Sequence, residues 1–162
     1  SARGFPMMRP LFFEYPNDPG SWTIDDEYMF GSDLLVAPMF ASGTQRKVYL
    51  PPGEWIDYQS GRVYEGTKWH DIKLGEIPVV LLVKNHTVLP HIKVAQSTKD
   101  MDWNNVELRV FSTDNGNVTG LFTRPDSNVQ TLSLTPRGRT FVLQEDPQAG
   151  KVKWTITRSV QL

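Results

Sequence analysis

The sequence predicts an all-β fold built as two consecutive antiparallel β-sandwich-like domains, with one short helix near the N-terminus. Three observations carry that prediction. Apolar residues recur with a period of two through many short runs, as at Val48 and Leu50 or Leu108 and Val110. Twelve glycines and twelve prolines break those runs at short intervals, which is the spacing of strands and turns. Only Ser21–Met29 carries helix signals: Thr23 or Asp25 as N-cap, acidic side chains in the first turn, and Gly31 to end it.

The elements follow in order. Met7–Phe13 holds Pro10 inside an extended apolar run, which favours an edge strand or a bulge. Tyr15–Gly20 is a dense turn signal. Leu34–Met39 is apolar throughout, too short for a typical helix and broken by Pro38, so it suits a strand buried on both faces. Lys47–Leu50 and Glu54–Tyr58 alternate, and the three runs together predict a core strand with two half-exposed antiparallel neighbours. Arg62–Tyr64, Lys68–Lys73, Ile77–Val83 and Thr87–Pro90 continue the series. The chain then turns polar between Val94 and Asn105, which places a boundary between domains 1–95 and 96–162. Beyond it, Val106–Phe111 and Val118–Thr123 flank Asp114-Asn115-Gly116 and are expected to pair as a hairpin. Thr131–Leu134, Phe141–Gln144 and Val152–Arg158 complete the set.

Composition narrows the functional classes. Lys plus Arg (17) nearly balances Asp plus Glu (18), with no block of like charge, so no nucleic-acid partner is expected. Absence of cysteine removes disulfides, thiol catalysis and Cys-based metal sites, and leaves the redox compartment open. No apolar run approaches membrane-spanning length, Ile77–Val83 being interrupted by Pro78, and no membrane partner is expected. Ser1-Ala2-Arg3-Gly4 lacks the apolar core of a signal peptide and enters at once on an apolar, proline-spaced stretch. We read this as a piece of a longer chain.

Motifs for catalysis are missing. His86 and His91 are five apart, which on extended chain puts them on opposite faces, and His70 stands alone, so no metal site is expected. There is no Gly-Xaa-Ser-Xaa-Gly elbow and no glycine-rich phosphate loop, and no cofactor is expected. Asp25-Asp26-Glu27 is the densest carboxylate group, but adjacent carboxylates fit a solvated helix N-terminus better than a pair facing across a substrate. Of the five tryptophans, Trp55 and Trp154 alternate with strand residues and are assigned to the core. Trp22, Trp69 and Trp103 are the aromatic candidates for stacking on a sugar. Arg9, a charge in an apolar setting, is expected to be buried and paired with a carboxylate or backbone carbonyls. Asn85-His86-Thr87 and Asn117-Val118-Thr119 match the glycosylation sequon, a match frequent by chance.

The order of several phrases says more than any one of them. Gly4-Phe5-Pro6-Met7-Met8-Arg9-Pro10-Leu11, Tyr15-Pro16-Asn17-Asp18 and Tyr28-Met29-Phe30-Gly31-Ser32-Asp33-Leu34-Leu35-Val36-Ala37-Pro38 closely resemble the C-terminal region of glycoside hydrolase family 31. Tyr49-Leu50-Pro51 with Gly53 and Trp55, Ser60-Gly61 and Ile77-Pro78-Val79 do so too. The resemblance covers about residues 4–90 and continues more weakly over 95–162, where Asp102-Trp103 and Leu108–Phe111 look most like the bacterial α-xylosidase branch. Glu27 stands where the family pattern has glutamine, and Lys84-Asn85-His86-Thr87 replaces its arginine–glycine–glycine–serine, which leans toward xylosidases over glucosidases.

The resemblance implies a retaining α-glycosidase whose two catalytic aspartates lie on a (β/α)8 barrel upstream of the matched region. No catalytic residue is therefore expected in this chain. Its expected role is to brace the parent enzyme's own catalytic barrel, which would be its partner. A homo-oligomer is the other association to test, and carbohydrate would be met through the parent. The alternative is a carbohydrate-binding module using exposed tryptophans. Bacterial cytoplasm and periplasm are both compatible with this reading.

Overall fold

Period-two alternation becomes strand in most of the runs that show it. The computed structural model describes residues 4–125, 129–148 and 150–160, which are nearly all strand and turn, with strand pairing mainly antiparallel and parallel at two places in the second half, and a lone short α-helix near the N-terminus. They divide into a first unit running up to Asn85 and a second spanning His86–Ser159.

In the first unit, β1 (Met8–Pro10) leads into α1 (Leu11–Glu14), followed by β2 (Tyr28–Phe30), β3 (Leu34–Pro38), β4 (Gln45–Leu50), β5 (Glu54–Asp57), β6 (Val63–Glu65), β7 (Lys68–Lys73) and β8 (Val79–Lys84). Six of these form an antiparallel sheet in the order β1-β2-β3-β8-β5-β6, and β4 pairs with β7 as a separate ribbon. Leu35, Ala37, Val80, Leu82 and Trp55 of the sheet share one core with Val48, Leu50 and Ile72 of the ribbon. Each layer thus buries the face that its own alternation makes apolar.

Two expectations are corrected here. The runs read as β3, β4 and β5 are not neighbours: β8 lies between β3 and β5, and β4 belongs to the ribbon. The reason is apolarity. Leu35, Val36 and Ala37 are all buried, and Val79–Lys84 is apolar enough to sit beside them, whereas β4 carries Gln45 and Lys47 to solvent. Nor does Ser21–Met29 form a helix. Asp18 caps a 3-10 turn over Pro19–Thr23, and by Tyr28 the chain has entered β2, which returns through Gly31 (φ 70°) to pair with β3. A nine-residue helix is marginal by itself, and the antiparallel pairing prevails. The α-helix instead occupies Leu11–Glu14, directly after Pro10, where the edge strand was expected to continue.

The second unit contains β9 (Thr87–His91), β10 (Asn105–Phe111), β11 (Val118–Phe122), β12 (Gln130–Arg137), β13 (Thr140–Leu143) and β14 (Lys153–Arg158). They make one sheet in the order β13-β12-β11-β9-β10-β14, and its end strands β13 and β14 approach each other, so the sheet curls around its own core. Val88, Val106, Leu108, Val110, Val118, Leu132, Leu134 and Phe141 fill that core. The polar stretch from Val94 to Asn105 connects β9 to β10 inside this unit, and the break between units comes earlier, after Asn85. The expected hairpin across Asp114-Asn115-Gly116 is also corrected, because β9 separates β10 from β11. The turn itself is local: Asp114 accepts the Gly116 amide at 2.6 Å. Gly120 lets β11 approach β9, since a Cβ there would run into the Val88 carbonyl.

Candidate functional site

Most of the functional candidates lie in the first unit, on β1, α1, the Pro19–Thr23 turn and the ribbon. Strand alternation turns Arg9 inward between the exposed Met8 and Pro10. Its guanidinium forms an ion pair with Glu14 of α1 and lies 5.9 Å from the centre of the Phe13 ring. Arg9 is therefore buried and paired with a carboxylate, as its apolar setting requires; its Nε is buried without a hydrogen-bond partner.

A second buried polar group joins the Pro19–Thr23 turn to the ribbon. The Asp18 carboxylate accepts from the Gly20 amide at 3.2 Å, the Ser21 hydroxyl at 2.7 Å and the Tyr49 hydroxyl at 2.9 and 3.0 Å. Burial and then the Asp18 carboxylate push the Tyr49 phenol up to about 12. Next along β4, Arg46 donates to the carbonyls of Pro38, Asp26 and Lys47 and pairs with the Asp26 carboxylate. Glu27 accepts the Tyr49 amide at 2.8 Å on Oε1, while its buried Oε2 has no partner. Burial pushes this carboxyl up to about 7, against smaller opposing effects of the Tyr49 amide and Arg46. Asp25-Asp26-Glu27 is thus not a solvated helix start: only Asp25 and Asp26 are exposed, and Glu27 is buried. The burial of Arg46 and of Glu27 was missed. The signal for Arg46 was its place in the Arg46, Val48, Leu50 register, which aims a charge at the core.

The three tryptophan candidates are not equivalent. Trp22 is 59% exposed, stacks on Phe12 at 5.4 Å and donates its indole N–H to the Pro16 carbonyl at 3.0 Å. Trp69 is 51% exposed and meets the Tyr49 ring edge-on, opposite it in the β4–β7 register. Trp103 is half-buried and belongs to the second unit. Trp55 is fully buried, whereas Trp154 is only partly buried against the second core. Near Trp22, Glu14, Tyr15, Pro16, Asn17, Asp18 and Pro52 line an open cleft of about 220 Å³. Phe5, Met7, Met8, Phe12, Phe13 and Phe30 are all exposed at this side, with Phe5 edge-on to Phe13.

The histidines are dispersed. His70 bonds the Glu65 carbonyl, His86 faces Asp114 at 3.6 Å and His91 bonds the Leu89 carbonyl. Among the described residues no three of His, Asp and Glu gather in a metal-binding group.

Comparison with known proteins places this architecture. The family profile described as "Glycosyl hydrolase family 31 C-terminal domain" matches residues 4–89, more than half of the chain. The chain belongs to glycoside hydrolase family 31. Alpha-glucosidase 2 of Bacillus thermoamyloliquefaciens is 34% identical over 131 residues, covering 80% of this chain and 16% of that protein. An alpha-xylosidase of Saccharolobus solfataricus is 32% identical over 115 residues, covering 70% of this chain and 16% of its own. Among solved structures, a family 31 dextranase of Flavobacterium johnsoniae complexed with glucose superposes with a TM-score of 0.73 at 26% identity. That superposition covers 85% of this family 31 chain and 19% of the dextranase. The chain thus spans less than a fifth of the length of each of these relatives.

Proposed function

We propose that this family 31 chain is a non-catalytic C-terminal β-domain region of a retaining α-glycosidase. The parent would hydrolyse O-glycosyl bonds and be of α-xylosidase or α-glucosidase type, with the xylosidase type favoured by Lys84-Asn85-His86-Thr87 and Asp102-Trp103. The two β domains brace a (β/α)8 barrel that carries the chemistry. The carrying observation is the match over residues 4–89 to a C-terminal family domain within relatives several times longer. Exposed Phe5, Phe12, Phe13 and Trp22 at the β1 side supply an apolar face of the kind that docks a neighbouring domain. Incubation of the isolated chain with aryl α-xylosides and α-glucosides tests the reading: no turnover is expected. Hydrolysis abolished by changing one of its own carboxylates overturns it.

A second reading, a carbohydrate-binding module, rests on the exposed rings of Trp22 and Trp69, with Trp103 as the third candidate. Calorimetry against xyloglucan oligosaccharides and maltooligosaccharides separates the two. Heat of binding that disappears in Trp22→Ala or Trp69→Ala supports the module; no heat supports the brace.

A further inference from the structure

Glu27 stands immediately before β2 of the six-stranded sheet and accepts the Tyr49 amide of β4, so its carboxyl ties the ribbon to that sheet. The residue is 4% exposed, and Oε2 is buried without a partner. Charged groups around it are already engaged. Asp26 on the same segment pairs with Arg46 of β4, which also serves three backbone carbonyls. The Tyr49 hydroxyl of β4 is given to Asp18 beside the 3-10 turn, and His70 of β7 is turned to the Glu65 carbonyl and the Tyr64 ring. An ionised Glu27 is therefore a second carboxylate beside a guanidinium that Asp26 has already neutralised, with one bare oxygen in the interior.

We propose that the Glu27 carboxyl is a proton-held latch: protonated, it fastens β4 and β7 to the six-stranded sheet, and ionised, it lets the ribbon bearing Tyr49 and Trp69 loosen. Burial supports this by raising the carboxyl to about 7, where its charge changes near neutral pH. The latch goes beyond the glycosidase reading and does not depend on it.

Amide hydrogen exchange followed by NMR on the full chain, corrected for the intrinsic pH dependence of exchange, tests the latch. Protection at Tyr49 and along β4 and β7 is expected to fall about tenfold or more between about pH 5 and about pH 8. In Glu27→Gln, which keeps the acceptor for the Tyr49 amide but cannot ionise, that fall should vanish. An equal fall in Glu27→Gln, or none in the unmodified chain, overturns the proposal. Titration of the Glu27 side-chain carbonyl carbon in the unmodified chain gives a reading that needs no variant. A midpoint near neutrality supports the latch, and one in the ordinary carboxylate range sinks it.

Discussion

The Tyr49 hydroxyl rests on both carboxylate oxygens of Asp18, and Gly20 lies so close to its ring that an added Cβ would overlap the phenol oxygen. Gly20 is needed here for space. Tyr49 is buried and its hydroxyl is bonded, so it has little freedom to retreat. Gly20→Ala should therefore destabilise the first unit by about 1–3 kcal/mol, the usual range for overpacking. Denaturant melts check this: the midpoint should fall at unchanged slope. Tyr49→Phe combined with Gly20→Ala should recover little of the loss, because the ring Cζ would still overlap the new Cβ.

Arg9 and Glu14 make a prediction about charge. The guanidinium is nearly sealed from water, and Glu14 is its carboxylate partner. Glu14→Gln leaves a buried cation without a counter-charge and should cost roughly 2–5 kcal/mol. Arg9→Met, which removes the charge and keeps the volume, should cost less than Glu14→Gln. Thermal melts of the two variants at one pH decide it, and the reverse order would mean that Arg9 stabilises the unit mainly through contacts other than Glu14, such as the Phe13 ring.

Much of this fold was legible in the sequence because alternation marks strands wherever one face is dry. Val48 and Leu50 or Leu132 and Leu134 show their buried side directly. Pairing was not legible. Asp114-Asn115-Gly116 makes a tight local turn, but the turn says nothing of β9 inserting between the strands it joins. Likewise Asp25-Asp26-Glu27 read as a helix start because first-turn acids and a strand entry look alike until Tyr28-Met29-Phe30 finds its partner in β3. On the site side, Arg9 announced itself as a lone charge among apolar residues. Glu27 did not, because its partner is the amide of Tyr49, supplied by a ribbon remote in the chain. The ordered phrases placed the chain in family 31, and no local pattern of side chains would have done so.

The two units should respond to pH with opposite sign. In the first, the Glu27 carboxyl is raised from 4.5 to about 7 in the fold. Its contribution is complete below about pH 4.5 and is lost as pH rises toward 7, by at most about 3 kcal/mol. In the second, burial holds His91 below its ordinary value, so the unfolded chain takes up the proton first as pH falls below 6.5. Glu107 there is also held below its usual value, by the Thr157 hydroxyl and Arg109, which outweigh desolvation, and it adds an acid-side loss. Residue-resolved melts at about pH 5 and about pH 8 should show the first unit strengthened by acid and the second weakened. Parallel shifts in both units would contradict this assignment.

The exposed aromatic side of the first unit makes the last prediction. Phe12 and Trp22 stack with an interplanar angle of 20°, Phe5 meets Phe13 edge-on, and all four rings remain exposed. Water is poorly accommodated by such a cluster, and in the isolated chain it should bind an apolar dye or a second molecule. Trp22 also holds Pro16 through its indole, so Trp22→Ser tests two roles at once, whereas Phe12→Ser removes only the stacking partner. Phe12→Ser should lower dye fluorescence by about twofold or more and shift any dimer toward monomer. Its stability should fall by only about 1–2 kcal/mol, because Phe12 is 38% exposed and only the covered part of its ring is lost. A large loss of stability with dye binding unchanged would make the cluster part of the first unit's own packing rather than a face left for a neighbour.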